Sequence, residues 1–99
     1  MTPVMRIDYI VCPGTIQDKL ETKHQVTVQE TRETLLSRPR IRFAEKGHIE
    51  GEDVYVAFGQ SFAGRYLAVF FVYKPRDATA IIISARDMSA KERKSYGHK

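Results

Sequence analysis

Residues 54–86 decide the fold and read VYVAFGQSFAGRYLAVFFVYKPRDATAIIISAR. Two runs rich in β-formers, 54–61 and 65–74, flank a three-residue connection whose Gly64 suits a turn position with positive φ. These two runs therefore predict a β-hairpin. A third run, 80–86, is almost continuously apolar, which is typical of a central strand.

Alternation along these strands predicts which side chains share a face of the sheet. One predicted face carries Leu67, Val69, Phe71, Ile81 and Ile83. The other carries Tyr66, Phe70, Val72 and Ile82. Since both sets are apolar, we expect both faces of the middle strands to be covered, by the terminal helix or a loop, or else by a partner molecule.

The chain before the hairpin predicts one strand and two helices. Residues 5–12 are rich in β-formers and end at a Pro-Gly pair, which predicts a first strand and a turn. Thr15 is a candidate N-cap for a first helix, with Ile16 and Leu20 at helical spacing and Lys-His at 23–24 closing it.

A capping box marks the start of the second helix. Thr27 and Glu30 are three residues apart, so each side chain can satisfy a free backbone N–H of the other. The residue before Pro39 is pushed out of the α region, which ends this helix. From residue 40 to 45 charged and apolar residues alternate, which predicts a strand with Ile41 and Phe43 inward and the arginines on the opposite face.

A second capping box, Ser89 with Glu92, predicts a short C-terminal helix that Gly97 ends. The predicted order is β-α-α-β-β-β-β-α, an α+β fold in which an antiparallel sheet of about five strands carries packed helices. A chain of 99 residues with 42% hydrophobic residues fits a single domain over residues 1–99.

Charge and cysteine usage narrow the class of protein. The formal net charge of +4 favours a polyanionic partner such as nucleic acid or an acidic protein. The basic residues cluster in 38–42 and in 86–99. A single cysteine, Cys12, excludes an internal disulfide, and no apolar run is long enough for a membrane helix. We therefore expect a cytoplasmic protein without membrane attachment.

Several chemistries lack their sequence signals. The cysteine and the three histidines have no metal-ligand spacing, so we expect no metal site and no cofactor. The chain has neither the elbow motif of Ser-His-Asp enzymes nor a Gly-rich phosphate loop.

The C-terminal stretch carries a set of groups that suits RNA cleavage without metal. Arg86 ends a strand, and Glu92 and Tyr96 lie four residues apart on one helix face. Cleavage requires a base for the 2′-hydroxyl, a cation for the phosphorane and a proton for the 5′-oxygen. A carboxylate, a guanidinium and a Tyr or Lys can supply these. Alternatively, Arg86 pairs with Glu92 as a surface salt bridge, Glu92 serves only the capping box, and Tyr96 only packs.

The run SARDMSAKERKSY at 84–96, with AIII before it and the hairpin sequence GRYL at 64–67, resembles the BrnT-type toxins of bacterial type II toxin–antitoxin systems. The stretch KHQVT at 23–27 is similar to that family's Lys-His-Gly-Val-Ser. The resemblance covers about residues 6–96. It implies a RelE-like fold, a metal-independent endoribonuclease that cleaves mRNA and stops translation, and a ribbon-helix-helix antitoxin through which the complex binds operator DNA.

Carried onto this sequence, the resemblance implies catalytic roles for Arg86, Glu92 and Tyr96. We assign Glu92 as the base and Arg86 as the cation for the phosphorane, with Tyr96 and a nearby Lys or His orienting substrate or donating the proton. Candidates for substrate binding are Lys23, His24, Arg65 and Arg93.

Three departures from the family pattern bear on activity. Tyr9 and Ile10 stand where the family has Trp-Asp, Gln25 replaces Gly, and Asp87 stands where a basic residue is frequent. An acid beside Arg86 weakens the local positive potential. The alternatives are a lapsed toxin that binds RNA or protein without catalysis, and an accessory subunit stable only with its antitoxin.

The residues outside these motifs have simpler interpretations. Lys23 and His24 at a helix end suit the helix dipole. Arg38, Arg40 and Arg42 fit an RNA track, a docking strip for an acidic antitoxin segment, or solvated strand charges, and the last is the favoured interpretation.

Overall fold

The computed structural model describes residues 5–97 and has the element order expected from the sequence. The elements are β1 (Tyr9–Val11), α1 (Gly14–Lys23), α2 (Val28–Leu36), β2 (Arg40–Glu45), β3 (Val54–Gln60), β4 (Tyr66–Lys74), β5 (Thr79–Asp87) and α3 (Ala90–Gly97). In the described part of the chain no helix is long and apolar enough to cross a membrane.

The strands form one sheet in the order β1-β5-β4-β3-β2. The pairs β2–β3, β3–β4 and β4–β5 are antiparallel, as predicted. The edge strand β1 lies parallel to β5, so the sheet is mixed rather than wholly antiparallel. Hairpin signals set the direction of the other strands, but β1 reaches its neighbour only through two helices and three strands, and its direction is not fixed by a tight turn.

The hydrophobic core lies on the face of the sheet that α1 and α2 cover, which we call the helical face. Leu67, Val69 and Phe71 of β4 project there and are completely buried. Leu20 of α1 and Leu35 of α2 belong to the same cluster. Because side chains alternate along a strand, the even-numbered residues of β4 project from the opposite face, which we call the cleft face.

A β-bulge in β5 corrects the predicted face assignment. The β4–β5 register shifts between Phe70 and Phe71, whose partners are Ser84 and Ile82. Ile83 is the extra residue and is 37% exposed, whereas Ile82 is completely buried in the core. The prediction that Ile81 and Ile83 share a face with Phe71 is therefore wrong. A prediction from strict alternation cannot include an inserted residue. Such a residue reverses the face of the sheet from which every residue on one side of the bulge projects.

Two of the three predicted helix caps are present. The Thr27 hydroxyl accepts a hydrogen bond from the Glu30 backbone N–H at 3.1 Å, and the Glu30 carboxylate accepts one from the Thr27 N–H at 3.0 Å. Ser89 and Glu92 form the same reciprocal pair. The Thr15 cap is wrong, because α1 begins at Gly14 after an extended Pro13 that makes no side-chain cap. Pro13 occupies the N-cap position instead, and its carbonyl accepts the first backbone hydrogen bonds of the helix, from Ile16 at 3.0 Å and Gln17 at 2.9 Å.

The turn between α1 and α2 depends on Gln25. Its φ is +51°, in the left-handed region that costs an L-residue energy. The next residue, Val26, is fully buried, and its N–H donates to the Leu20 carbonyl at 3.0 Å. The turn therefore brings Val26 into the core, and its conformation explains why glycine suits this position in the family pattern.

We expect Gln25→Gly to stabilise the protein. Glycine adopts positive φ without strain, and part of this gain is offset by its greater freedom in the unfolded chain. The expected net gain is about 0.5–1 kcal/mol, a rise in melting temperature of roughly 2–8 °C. Thermal unfolding followed by circular dichroism measures it. Gln25→Ala is the control, because it keeps the Cβ and should gain nothing. A Gly variant no more stable than the Ala variant would contradict the assignment of strain.

Candidate active site

Arg86 and Glu92 form a bidentate ion pair between the end of β5 and the first turn of α3. The Arg86 Nη1–Glu92 Oε1 distance is 2.7 Å, and the Nη2–Oε2 distance is 3.0 Å. Arg86 Nη1 also donates to the Asp87 carbonyl at 3.2 Å. The guanidinium carbon lies 5.4 Å from the centroid of the Phe70 ring, on the cleft face. Two parallel hydrogen bonds and a ring beneath fix both the position and the orientation of the guanidinium.

Glu92 belongs to the ion pair and to the capping box at once. Its Oε1 accepts from the Ser89 backbone N–H at 2.8 Å as well as from Arg86. The hydrogen bond from Arg86, assisted by those from Ser89, lowers the pKa of Glu92 to about 2. The structure thus shows both structural interactions considered for Glu92: it caps α3, and it pairs with Arg86.

Tyr96 and Arg93 pack around a second ring on the same face. Tyr96 is 7% exposed and meets Tyr66 edge to face, with ring centroids 6.0 Å apart. The Arg93 guanidinium carbon lies 4.3 Å from the Tyr66 centroid. These contacts hold the second turn of α3 on the sheet, so packing accounts for part of what Tyr96 does.

A cavity of about 440 Å³ opens between α3 and strands β2 and β3. Glu92 and Tyr96 line it from the helix, and Arg40 and Arg42 line it from β2. Arg38 precedes β2 in the left-handed region and is exposed. Sequence alternation correctly placed the β2 arginines opposite Ile41. The prediction that Phe43 lies inward with Ile41 is wrong, because Phe43 is 58% exposed and lines the cavity. Only the strand register and the docking of α3 show that Arg40 and Arg42 face the helix that carries Glu92.

Arg65 lies elsewhere, on the helical side of β5. Its guanidinium donates to the Asp87 carboxylate at 2.8 and 3.1 Å and to the Glu30 carboxylate at 3.2 Å. It also donates to the carbonyl oxygens of Gln25 at 2.8 Å and His24 at 3.3 Å. These five groups form what we call the Arg65 cluster. It fastens the α1–α2 turn and the capping box of α2 to the end of β5.

The Arg65 cluster also accounts for Asp87. Its carboxylate is bound by Arg65, which holds its pKa below the usual range. Asp87 pairs with Leu67 and Arg86 pairs with Ala68, so the two neighbours project from opposite faces. The negative charge of Asp87 is therefore balanced by Arg65, away from the cleft face.

The predicted site residues thus belong to two groups of charged residues, which lie on opposite faces of the sheet at the end of β5. Arg86, Glu92, Tyr96 and Arg93 lie on the cleft face. Arg65 and the His24 carbonyl lie in the Arg65 cluster, and Lys23 is the exposed last residue of α1. The structure does not bring the candidate substrate-binding residues Lys23, His24 and Arg65 into the cavity.

No group of three His, Cys, Asp or Glu side chains within residues 5–97 could hold a metal ion. Cys12 is half-buried, and burial raises the pKa of its thiol. The histidine at 98, one of the ligand types considered above, lies outside the described residues.

The fold and the site define a small α+β protein that presents a fixed guanidinium beside a cationic cleft, an arrangement suited to binding phosphate groups. A family model described as "Ribonuclease toxin, BrnT, of type II toxin-antitoxin system" matches residues 17–92. The chain therefore belongs to the BrnT family of ribonuclease toxins. The match includes Arg65, Arg86 and Glu92 and stops before Arg93 and Tyr96. No curated protein matches the chain.

We expect the pKa of Glu92 to depend on Arg86. In the wild type the carboxyl should titrate near pH 2, and in Arg86→Gln the pKa should rise toward its ordinary value, because the largest cause of the shift is gone. Titration of the side-chain carboxyl carbon by nuclear magnetic resonance measures both values. Arg76→Gln, in the exposed β4–β5 turn, is the control and should leave the pKa unchanged. An equal pKa in all three proteins would contradict the ion pair.

Proposed function

We propose that this chain is an active, metal-independent endoribonuclease that cleaves mRNA at the cleft face. The observation that supports this most strongly is the fixed Arg86 guanidinium beside the cavity, in a chain that belongs to a family of ribonuclease toxins. The alternative, a lapsed toxin, rests on the negative charge of Asp87 next to Arg86. Because Arg65 binds the Asp87 carboxylate, that charge does little to weaken the positive potential at Arg86.

The proposed reaction is a transesterification within the RNA strand. The 2′-oxygen attacks the phosphorus and loses its proton, the bond to the 5′-oxygen breaks, and that oxygen gains a proton. The products are a 2′,3′-cyclic phosphate and a 5′-hydroxyl. Negative charge accumulates on the pentacoordinate phosphorus group, where Arg86 supplies positive charge and N–H donors already held in place.

Glu92 can act as the base only after the ion pair opens. With a pKa of about 2 the paired carboxylate accepts a proton weakly at neutral pH. A substrate phosphate that takes over the Arg86 donors removes the largest cause of that low pKa, so the carboxylate becomes a stronger base as substrate binds. In this scheme Glu92 positions Arg86 before binding and accepts the 2′-hydroxyl proton afterwards.

The proton for the leaving 5′-oxygen requires a donor on the other side of the phosphate. Lys91 and Tyr96 line the same cavity as Glu92. We assign proton donation to Lys91 and orientation of the substrate to Tyr96. The sequence offered a Lys or a His as the proton donor. Because His24 belongs to the Arg65 cluster, Lys91 is better placed for this role than His24.

Membership of the family implies an antitoxin partner and an RNA substrate. We propose that the antitoxin has a ribbon-helix-helix domain, that operator DNA is bound only through it, and that the complex works in the cytoplasm. The family description, which names a type II toxin–antitoxin system, supports the antitoxin partner.

We expect the purified chain to cleave single-stranded RNA in the presence of EDTA, leaving 5′-hydroxyl ends. Arg86→Gln should lower the cleavage rate about 100-fold to 1,000-fold, as loss of a preorganised charge donor does. Gel separation of end-labelled fragments measures the rate and identifies the ends.

The matched control for this experiment is Arg76→Gln, which removes the same charge from the β4–β5 turn and should cleave at the wild-type rate. Circular dichroism shows whether each variant is folded. Equal rates for wild type and a folded Arg86→Gln, or no cleavage by any of the proteins, would contradict the proposed activity.

A further inference from the structure

The cavity between α3 and the sheet combines a cationic wall with an apolar floor. Arg40 and Arg42 line it from β2, and Lys91 lines it from α3. Val56 and Phe58 of β3 form the floor between them. Its volume of about 440 Å³ falls within the range of sites that enclose a small organic molecule, about 300–1,000 Å³.

The register of β2 and β3 places the arginines beside this floor. Arg40 pairs with Phe58, and Arg42 pairs with Val56. Paired residues in an antiparallel ladder project from the same face, so the two arginine side chains lie next to Phe58 and Val56 on the cleft face. Residues two apart on a strand are about 6.6 Å apart, which is comparable to the spacing of successive phosphates in an extended single strand.

The cavity is electrostatically positive despite Glu92. Three of the lining side chains are cationic, and Glu92 is the single acid among them. Its charge is already balanced by the bidentate bond from Arg86. The groups that face the opening therefore favour an anion, and the floor favours an apolar or aromatic part of the same ligand.

We propose that this cavity seats one nucleotide of a single-stranded RNA, with its base on Phe58 and the adjoining phosphates on Arg40 and Arg42. The inference rests on the proposed function and names the residues that bring the strand to Arg86. An unstacked base placed on an aromatic ring next to cations is how single-stranded RNA is held. An acidic peptide would match the charges, but it would leave the aromatic floor unused.

The test measures binding of a short fluorescent RNA whose 2′-hydroxyls are methylated, so that it cannot be cleaved. The double variant Arg40→Gln/Arg42→Gln should bind at least about tenfold more weakly than wild type. The slope of log affinity against log salt should also become shallower by about 1.4, because each phosphate contact on a single strand contributes about 0.7. Fluorescence anisotropy over a range of salt concentrations gives both quantities.

The matched control is Lys19→Gln/Arg76→Gln, which removes two charges from exposed positions on α1 and the β4–β5 turn. It should retain the wild-type salt slope. Phe58→Leu keeps the apolar floor without the aromatic ring and should weaken binding several-fold. Its control, Phe62→Leu, changes a phenylalanine that is 74% exposed in the β3–β4 connection and should have no effect.

Three outcomes would overturn the proposal. The first is equal affinity and slope for the Arg40/Arg42 and Lys19/Arg76 double variants. The second is an unchanged affinity of Phe58→Leu. The third is displacement of the RNA by a polyglutamate peptide at lower concentration than by unlabelled RNA, which would assign the cavity to a protein segment.

The outcome for the cavity can be separated from the outcome for the enzyme. If wild type cleaves ordinary RNA while the arginine variant binds normally, the activity stands and the cavity assignment fails. If the arginine variant loses binding but wild type never cleaves, the cavity assignment stands and the activity fails.

Discussion

The bidentate bond between Arg86 and Glu92 is the constraint on which the cleft face depends. Glu92 is fixed at the start of α3 by Ser89, and Arg86 is fixed at the end of β5 by the strand. Joining them sets the position of the helix and the orientation of the guanidinium together. Since α3 forms one wall of the cavity, the same two hydrogen bonds help to fix that wall opposite the β2 arginines.

Arg65 and Arg86 both lie near the end of β5, but they differ in how many of their N–H donors are already occupied. Arg65 meets two carboxylates and two backbone carbonyls, which is enough to occupy the five N–H donors of a guanidinium. Within the described chain Arg86 makes three hydrogen bonds, so donors remain for a phosphate. Arg65 therefore joins the α1–α2 turn to the end of β5, whereas Arg86 keeps N–H donors that a ligand could use.

Local signals predicted most of the fold. The hairpin, the strand β2 and the two capping boxes each involve residues within a few positions of one another, and each is present. The bulge at Ile83 and the parallel pairing of β1 depend on contacts distant in sequence, and no local pattern encodes them.

For the site, spacing correctly brought Arg86 and Glu92 together, because a strand end and the next helix turn are close in sequence. The partners of Arg65 lie 22 to 41 residues away, and so no local pattern indicates that its donors are occupied. The position of Arg40 and Arg42 in the cavity could not be predicted for the same reason, because their placement relative to α3 is a property of the whole sheet.

The most direct test of the account exchanges the two charges, in Arg86→Glu/Glu92→Arg, and compares stability with RNA cleavage. We expect the exchanged pair to be more stable to heat than either single variant, because an ion pair again links α3 to β5. Cleavage should stay at the low level of the single variants, because the guanidinium no longer stands at the end of the strand. Recovery of cleavage in step with stability would show that the pair matters only for the fold and would contradict a direct role of Arg86 in the reaction.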